Sequence, residues 1–464
     1  MSSSSAEQAR QTRQAGRARA SVRRRPTPIA AALCLVSLIA FYVAQRAAHV
    51  TMLDLDVYRA EGMAIRTGAD LYDMRATVHA LPATYPPFAA LLFIPLTWLN
   101  LATTRVLVNI ANLSLLVALV HLSLRLLGRR PSRVPLPAVT FAVAALAVWC
   151  EPVWTTLRYG QVNLALAVLV LWDLTRRADH RWAGVGIGIA AGIKLTPALF
   201  AVMLAVAGIA LGARRLRQGL PVWNAFLRRA AVAAATFAGT AGLTALLAPH
   251  DSRRFWTGII FASDRAGYTE ATANQSLRGV LARALHTGDP GLTWLIAALV
   301  IGCAGLALAT AALLAADRLP HATAWATLSC GVTALVVSPI SWSHHWVWAV
   351  PLVILLAAEA VRRGDRRWAA GAVAAGVLFQ SFALWLVPHD DGRHELHQSG
   401  GQMLLSAVYP LAGALFLAVA ATVTVHAWRR RPPVRVPARR SPGAPATVVR
   451  PRTPESAVRA SRGS

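Results

Sequence analysis

The sequence predicts an all-α membrane protein that crosses the bilayer about twelve times. Of its 464 residues, 56% are hydrophobic and only 14% are charged, whereas soluble domains carry about 25% charged residues. Apolar runs of about 20 residues, the length that crosses about 30 Å of hydrocarbon as a helix, recur along the chain. Only helices and closed barrels satisfy their own backbone in lipid, so these runs are interpreted as membrane helices. The clearest runs are 28–44, 101–127, 230–247, 291–316, 322–340, 346–361, 368–386 and 403–428.

The formal net charge of +27 is concentrated at the ends of the apolar runs. Seven arginines lie in the first 25 residues, ten follow Trp428, and others fall in short loops near Arg129, Arg176, Arg214 and Arg362. This distribution is typical of cytoplasmic ends under the positive-inside rule. It disfavours nucleic-acid binding, the other common use of a basic chain. We therefore expect a multi-pass plasma-membrane protein with both termini in the cytoplasm.

The domain organisation follows from composition. Residues 1–26 and 432–464 are rich in Ser, Ala, Pro and Arg, which predicts disordered basic cytoplasmic tails. We expect residues 27–431 to form one helical transmembrane domain. Placing the arginine-rich loops inside leaves five polar segments outside, which are 47–86, 151–161, 249–290, 341–345 and 387–401.

Two apolar stretches allow alternative topologies. The stretch 85–100 contains three prolines and could be a short helix that does not cross. The stretch 183–213 is broken at Thr196-Pro197 and could be one kinked span or a helical hairpin. Keeping the arginines inside favours the non-crossing helix together with the hairpin.

The first outer segment, 47–86, contains a predicted helix of its own. Val57, Ala60, Met63 and Ala64 recur at helical spacing among charged residues. This pattern indicates a short amphipathic helix lying on the membrane surface. The sequence Thr67-Gly68 is typical of its end.

Asp54 and Asp56 are candidate catalytic or binding acids just after the first span. A carboxylate at the membrane surface can accept a proton from an acceptor next to a lipid-borne substrate. Positions i and i+2 do not share a face of a helix, but they would share a side in an extended chain. The alternative is a surface acid stabilised by a helix N-terminus.

Three further candidates carry charge or can gain it. Lys194 is the only lysine among 47 basic residues, and it lies in an apolar segment where a charge is unfavourable. Contact with an anion is the functional interpretation, and snorkelling to a headgroup is the structural one. His344 and His345 follow at an outer helix–loop–helix junction, where a histidine can donate to a phosphate or a sugar hydroxyl. Their spacing, like that of the four scattered cysteines, does not match a metal site.

Four polar residues complete the candidate set. Gln161 and Asn163 enter a membrane helix from an outer junction, and either could hydrogen-bond a sugar or a neighbouring helix. Asn274 and Arg278 lie in the long outer loop. Arg278 could pair with a phosphate or could be a solvated arginine in a turn.

In its ordered motifs the chain resembles glycosyltransferase family 87 of the GT-C superfamily, the polyprenol-phosphate-mannose-dependent α-(1→2)-mannosyltransferases of actinobacteria. Each motif is short, but together they span most of the membrane domain. They are Asp54-Leu55-x-Val57-Tyr58, Gly68-x-x-Leu71-Tyr72-Asp73, Tyr85-Pro86-Pro87, Gly160-Gln161-x-Asn163, Lys194-x-x-Pro197, Asn274-Gln275-Ser276 and Ser338-Pro339-Ile340-Ser341-Trp342-x-His344-His345.

The resemblance implies an inverting transfer of mannose from polyprenyl phosphate mannose to a lipid-linked mannoside, on the extracytoplasmic side. The family's acid aligns with Asp54, and its important histidine falls at His344 or His345. Asp56, Tyr58 and Tyr85 are then expected to contact substrate, as are Gln161, Asn163, Lys194, Asn274, Arg278 and His345. The family often has glycine where this chain has Glu61.

The expected mechanism uses Asp54 as general base and His344, Lys194 and Arg278 as cationic donors to the departing phosphate, with no metal or other cofactor. The donor, a glycolipid acceptor and membrane lipid are the expected partners. The main alternative is a lipid or sugar transporter, which the intramembrane Lys194 would suit. The absence of an evident internal repeat and the grouping of polar motifs on one face disfavour it. The residues leave the acceptor open, among phosphatidylinositol mannosides, lipomannan and arabinan-type glycans.

Overall fold

The structure is a computed structural model that describes residues 26–128, 134–177, 179–389 and 392–430. Within these ranges the chain is helical, and the only β-type pairings are two isolated bridges, Ala76 with Leu81 and Asn274 with Trp342. The predicted all-α class is confirmed. The predicted tails lie outside the described residues, except for Pro26, which begins the first helix.

Eighteen α-helices are numbered here in chain order. They are α1 Pro26–Ala47, α2 Leu53–Thr67, α3 Pro87–Phe93, α4 Leu101–Leu126, α5 Leu136–Ala147, α6 Glu151–Tyr159, α7 Asn163–Leu174, α8 Val185–Ile193, α9 Ala198–Leu216, α10 Ala225–Leu247, α11 Pro249–Thr257, α12 Leu277–Ala284, α13 Gly291–Leu314, α14 Ala322–Val337, α15 Ala349–Arg363, α16 Arg366–Gln380, α17 Gly400–Ser406 and α18 Val408–Arg429. Short 3-10 turns follow α3 at Ile94–Thr97 and precede α15 at Ser343–Trp348.

Among the described helices, seven are long and apolar enough to cross a membrane. The number is eight if the pair α5 and α6, bent by 76° at a short break, counts as one span. Pro87–Thr97, α7 and α14 are apolar but shorter. A multi-pass membrane protein is confirmed, whereas the predicted count of about twelve spans is not.

The arginine-rich helix ends meet at one end of the bundle. Arg229 donates to the carbonyl of Arg176 at 2.6 Å. At the same end, the guanidinium groups of Arg214 and Arg318 lie 5.2 and 4.9 Å from the ring of Trp428. The distribution of arginines in the sequence predicts that these helix ends lie on one side of the membrane. The contacts agree with that prediction. The polar cavity described below lies at the opposite end.

The predicted surface helix is α2, which begins at Leu53 and ends at Thr67. Gly68 stops it in the left-handed conformation, with φ of 72°, which glycine adopts without strain. α3 and its 3-10 turn pack closely against α2, because a β-carbon on Gly62 would lie 2.6 Å from the carbonyl oxygen of Phe93. At 11 residues, Pro87–Thr97 spans about 16 Å and is too short to cross. The non-crossing alternative is therefore the observed one.

The broken apolar stretch is a helical hairpin of α8 and α9, with Lys194 at its tip. At the start of α8, a β-carbon on Gly184 would lie 2.4 Å from the carbonyl oxygen of Arg229. Near the end of α9, a β-carbon on Gly208 would lie 2.7 Å from Leu227. Both contacts fall on the first turns of α10, so α8 and α9 run in opposite directions. Folding back at this point brings the lone lysine to the cavity end of the bundle.

Candidate active site

A cavity of about 880 Å³ opens at the end of the bundle opposite the arginine-rich helix ends. Its walls come from α2, the segment before α3, the hairpin tip, the loop after α11 and the turn before α15. A cavity of this size suits a substrate larger than a single ion or water cluster. The polar and charged side chains that line it include Asp54, Tyr58, Glu61, Tyr85, Gln161, Lys194, Arg265, His344 and His345.

Asp54 lies half-buried in the first turn of α2, on the helix side that faces the cavity. Gln161 donates to its Oδ2 through Nε2 at 2.5 Å. Burial raises the pKa of Asp54 to about 6, and this rise is partly offset by the Gln161 hydrogen bond and the nearby Lys194 charge. A carboxylate with such a pKa is ionised at neutral pH and more basic than an ordinary aspartate.

Two tyrosines fix the orientation of the Gln161 amide. Tyr58 donates to Gln161 Oε1 at 2.7 Å and Tyr85 donates to the same atom at 3.2 Å. Since the carbonyl oxygen accepts from both phenols, the amide nitrogen is directed to Asp54. Tyr58 also stacks on Phe93, with ring centroids 4.4 Å apart. The orientation of the hydrogen bond to Asp54 thus depends on packing between α2 and α3.

Lys194 and His345 form a close pair on the same wall. Lys194 Nζ lies 2.9 Å from His345 Nε2 and 3.5 Å from the Tyr85 hydroxyl. The Trp342 backbone amide donates to His345 Nδ1 at 3.1 Å, so the proton of the neutral ring is assigned to Nε2. Nε2–H donates to the Lys194 amine when that amine is uncharged. Burial lowers the pKa of Lys194 to about 7, which is compatible with an amine that gains its proton when an anion enters.

His344 presents its ring to the cavity while its backbone is tied to neighbouring helices. Its carbonyl oxygen accepts from Thr156 at 2.8 Å and from Asn163 at 3.1 Å. Its ring packs edge-on against Tyr159, with centroids 5.4 Å apart. His344 Nε2 has no hydrogen-bond partner among the described residues. This nitrogen is therefore available to a ligand.

A buried carboxylate, Glu151, holds the turn that carries the two histidines. Its Oε1 accepts from Thr155 at 2.8 Å, from Ser343 at 2.9 Å and from Trp385 at 3.0 Å. Its Oε2 accepts from Tyr409 at 2.8 Å. Because Ser343 directly precedes His344, this network positions the histidine indirectly, through its neighbour in the chain.

Four of the predicted substrate-binding residues do not line the large cavity. Asp56 lies on the other side of α2, where its Oδ2 accepts from Arg105 at 3.0 Å. Arg278 donates to Ser263 at 2.6 Å and to Asp289 at 3.1 Å. The possibility that Asp54 and Asp56 share a side is wrong, because the segment is helical.

Asn163 and Asn274 are also outside the large cavity and bind backbone. Asn163 donates to the His344 carbonyl, as described above. Asn274 is fully buried, donates to the Thr269 carbonyl at 2.8 Å and accepts from the Ser341 amide at 3.0 Å. These contacts make both asparagines positioning residues for the histidine turn.

Two charged residues that line the cavity were not predicted as site residues from the sequence. Glu61 is buried, and it lies seven residues after Asp54, so both carboxyl groups occupy one face of α2 about 10 Å apart along its axis. Burial, and then the nearby Asp54 charge, raise the pKa of Glu61 to about 8. Helical spacing could have revealed it. Arg265, whose Nη2 donates to the Tyr72 carbonyl at 2.7 Å, belongs to a loop that gives no such signal.

One cluster of potential metal ligands lies outside the cavity lining within the described part of the chain. Asp70, His250 and Asp251 place one ligand atom each within 4.8 Å of one another. Arg254 already pairs with Asp70, and Asp251 accepts from the Leu71 amide at 3.1 Å. These contacts give the cluster a structural role, joining the loop after α2 to α11.

A carboxylate, an amine and two histidines that line one large cavity of a helical membrane bundle form the kind of site expected of a membrane-embedded transferase. The model for glycosyltransferase family 87 matches residues 83–339, more than half of the chain. The chain belongs to glycosyltransferase family 87. The prediction of a membrane hexosyltransferase is thereby confirmed.

Curated relatives come from mycobacteria. The chain is 31% identical to the polyprenol-phosphate-mannose-dependent alpha-(1-2)-phosphatidylinositol mannoside mannosyltransferase of Mycobacterium tuberculosis, over 76% of this chain and 83% of that one. It is 34% identical to the corresponding phosphatidylinositol pentamannoside mannosyltransferase of the same species, over 68% of each chain. Among solved structures it is similar to ArnT from Cupriavidus metallidurans bound to undecaprenyl phosphate, at 15% identity over 86% of this chain and 78% of that chain. The TM-score of 0.35 is too low for that likeness to support an argument.

Proposed function

We propose that the protein transfers mannose from polyprenyl phosphate mannose to a mannoside carried by a lipid, with inversion, to form an α-(1→2) linkage. Family membership and the printed activities of the mycobacterial relatives support this donor and this linkage. The observation that carries the proposal is that Asp54 and the Lys194–His345 pair line the same cavity. The acceptors named for the relatives favour a phosphatidylinositol mannoside as the acceptor class.

In the proposed reaction, the acceptor hydroxyl oxygen attacks the anomeric carbon from the side opposite the phosphate. Its proton passes to Asp54, and the electron pair of the breaking C1–O bond leaves with the polyprenyl phosphate. Charge grows on the bridging oxygen as that bond breaks, so cationic donors lower the barrier. Protonated Lys194 and the His344 ring are placed in the cavity to donate there. Arg265 also lines this cavity and carries a positive charge.

We place this site on the extracytoplasmic side of the plasma membrane. The support is the grouping of arginine-rich helix ends at the opposite end of the bundle, which the positive-inside rule assigns to the cytoplasm. A membrane-impermeant maleimide should label an Asp54→Cys protein in intact cells. Labelling that requires opened cells would reverse the assignment.

The proposed activity is tested with radiolabelled mannosyl phosphoryl polyprenol. Membranes containing the protein should move label into a glycolipid with an α-(1→2) linkage, and membranes lacking it should not. Label that crosses the membrane unchanged would instead support transport.

We also propose that no metal ion is needed, since the cavity supplies its own cations and Asp54 and Asp56 face different sides. Addition of EDTA should leave the rate unchanged, and strict dependence on Mg²⁺ or Mn²⁺ would contradict this part.

Replacing Lys194 by methionine is expected to lower kcat/KM for the donor by about 10- to 100-fold. A hydrogen bond to a charged group contributes about 1.5–3 kcal/mol, which corresponds to this range. The measurement is steady-state transfer at varied donor concentration. Arg278→Met removes a cation that lies outside the cavity, and we expect near-normal kinetics from it. Equal losses in the two variants would contradict a specific role for Lys194.

The rate should depend on pH through Asp54. The base must be ionised to accept a proton, so kcat/KM should fall about tenfold per pH unit below about 6, the pKa of Asp54. Gln161→Leu removes a donor that lowers this pKa. The acidic limb should therefore move to higher pH, by about one unit or more. As a control, Asn163→Leu removes an amide that does not contact Asp54 and should leave the acidic limb in place. An acidic limb that does not move in Gln161→Leu would contradict the assignment of Asp54 as the general base.

A further inference from the structure

A second cavity, of about 240 Å³, lies between the outer ends of α1 and α4. α1 packs mainly on α5, whereas α4 packs on α5 and α7, and a crevice remains between α1 and α4. Ala102 and Val106 on its rim are exposed, on a helix apolar enough to cross the membrane. The crevice therefore opens toward lipid. It shares no lining residue with the large cavity.

The walls of this crevice contain buried amides that bind nothing within the described chain. Gln45 is 4% exposed and Asn109 is 8% exposed. Both amide atoms of Gln45, Oδ1 of Asn109 and Nε of Arg105 have no hydrogen-bond partner among the described residues. A buried polar group without a hydrogen-bond partner destabilises the protein. Two such amides on membrane helices, facing one cavity, indicate a ligand that has both hydrogen-bond donors and acceptors.

The charges at the crevice favour an anion. Arg105 and Arg46 both line it, and Arg46 lies in the last turn of α1, at the exposed rim. Asp56 pairs with one nitrogen of Arg105 at 3.0 Å and compensates one of the two positive charges. A phosphate is the anion that guanidinium groups recognise best in such a setting. Hydroxyl groups on the same ligand would satisfy the carbonyl oxygens of Gln45 and Asn109.

We propose that this crevice binds the headgroup of a phospholipid, from the leaflet at this end of the bundle, whose phosphate carries a hydroxyl-bearing group. Its acyl chains lie along the apolar surfaces of α1 and α4, where Ile39, Val43 and Ile110 are exposed. The crevice shares no lining residue with the large cavity, and the proposal does not depend on the proposed function. Through Arg105 and Asp56, the headgroup contacts the first turn of α2, which carries Asp54.

The test is native mass spectrometry of the purified full-length protein in detergent, titrated with phosphatidylglycerol or with phosphatidylcholine. Phosphatidylglycerol offers hydroxyls beside its phosphate, and phosphatidylcholine offers none. The protein should retain phosphatidylglycerol about tenfold more tightly, and Gln45→Leu/Asn109→Leu should weaken this preference, leaving only the part that comes from Arg46 and Arg105. Asn112→Leu makes the same change one turn along α4, at a buried residue outside the crevice, and should keep it. Thermal unfolding of each variant verifies that it is folded.

Three results would overturn the proposal. The first is equal retention of the two lipids by the unaltered protein. The second is an unchanged preference in the double variant, which would mean that the crevice holds only solvent. The third is displacement of phosphatidylglycerol by sn-glycerol 3-phosphate at the same concentration, because a soluble phosphate ester would then be the better ligand. If the single variants Gln45→Leu and Asn109→Leu are used because the double variant unfolds, each should weaken retention on its own.

Discussion

Asp54→Asn is expected to lower the turnover of mannosyl transfer by about 10²- to 10⁴-fold, the contribution of a positioned general base. Asparagine keeps the size of the side chain and can still accept from Gln161 through its carbonyl oxygen, so the cavity should retain its shape. It cannot take a proton from the acceptor hydroxyl. Donor binding, measured by retention of labelled mannosyl phosphoryl polyprenol, should therefore change little. The loss should appear in kcat.

The chain contains its own matched control for this prediction. Asp56→Asn makes the same change two residues along the same helix, at an acid that pairs with Arg105 outside the large cavity. We expect its turnover to remain within a few-fold of the unaltered enzyme. Wild-type rates from purified Asp54→Asn, or comparable losses in the two variants, would exclude Asp54 as the base.

Glu151→Gln is expected to reduce the free energy of unfolding by about 2–4 kcal/mol and to impair transfer as well. Four groups, on Thr155, Ser343, Trp385 and Tyr409, donate to this carboxylate. An amide offers one accepting oxygen and one donating nitrogen, so either the Tyr409 hydroxyl would lose its acceptor or the three donors to Oε1 would face the amide nitrogen. Hydrogen bonds to a charged acceptor contribute about 1.5–3 kcal/mol each, and an unpaired buried donor adds a penalty. Thermal unfolding in detergent micelles measures the loss.

Tyr409→Phe distinguishes the loss of one hydrogen bond from the loss of the carboxylate. It removes one donor and leaves the other three with an anionic acceptor, so its effect on unfolding should be clearly smaller. Transfer should fall in Glu151→Gln because Ser343 loses its anchor next to His344. A Glu151→Gln protein that unfolds at the same temperature as the unaltered enzyme would show that the network does not stabilise the histidine turn.

The sequence determined the helices more firmly than the site. Apolar length and arginine placement predicted the membrane bundle, and the prolines predicted both the short α3 and the hairpin break at Pro197. Those signals are local, since they depend on neighbouring residues and on the bilayer. Span counting was less successful, because α7 and α14 are apolar but shorter than the thickness they were expected to cross.

For the site, the sequence predicted which segments meet but did not identify which atoms face the cavity. Asp54, Lys194 and the histidines lie on its walls as expected. Asn274 was assigned to substrate because it is polar and lies in an outer loop, yet a buried amide serves equally well to bind backbone, and here it does. Glu61 stands where the family often has glycine. That its carboxyl group shares a helix face with Asp54 follows only once α2 is known to be a continuous helix.

The Glu151 network also has a consequence for biosynthesis. The donor that comes last in the sequence, Tyr409, belongs to α18, the last helix of the described chain. The carboxylate belongs to α6. A nascent chain emerging from the ribosome therefore lacks one support of the histidine turn until α18 has been translated and inserted. Catalytic competence should arise late and abruptly, and a ribosome that stalls before α18 should release an inert polypeptide in place of a partly active enzyme.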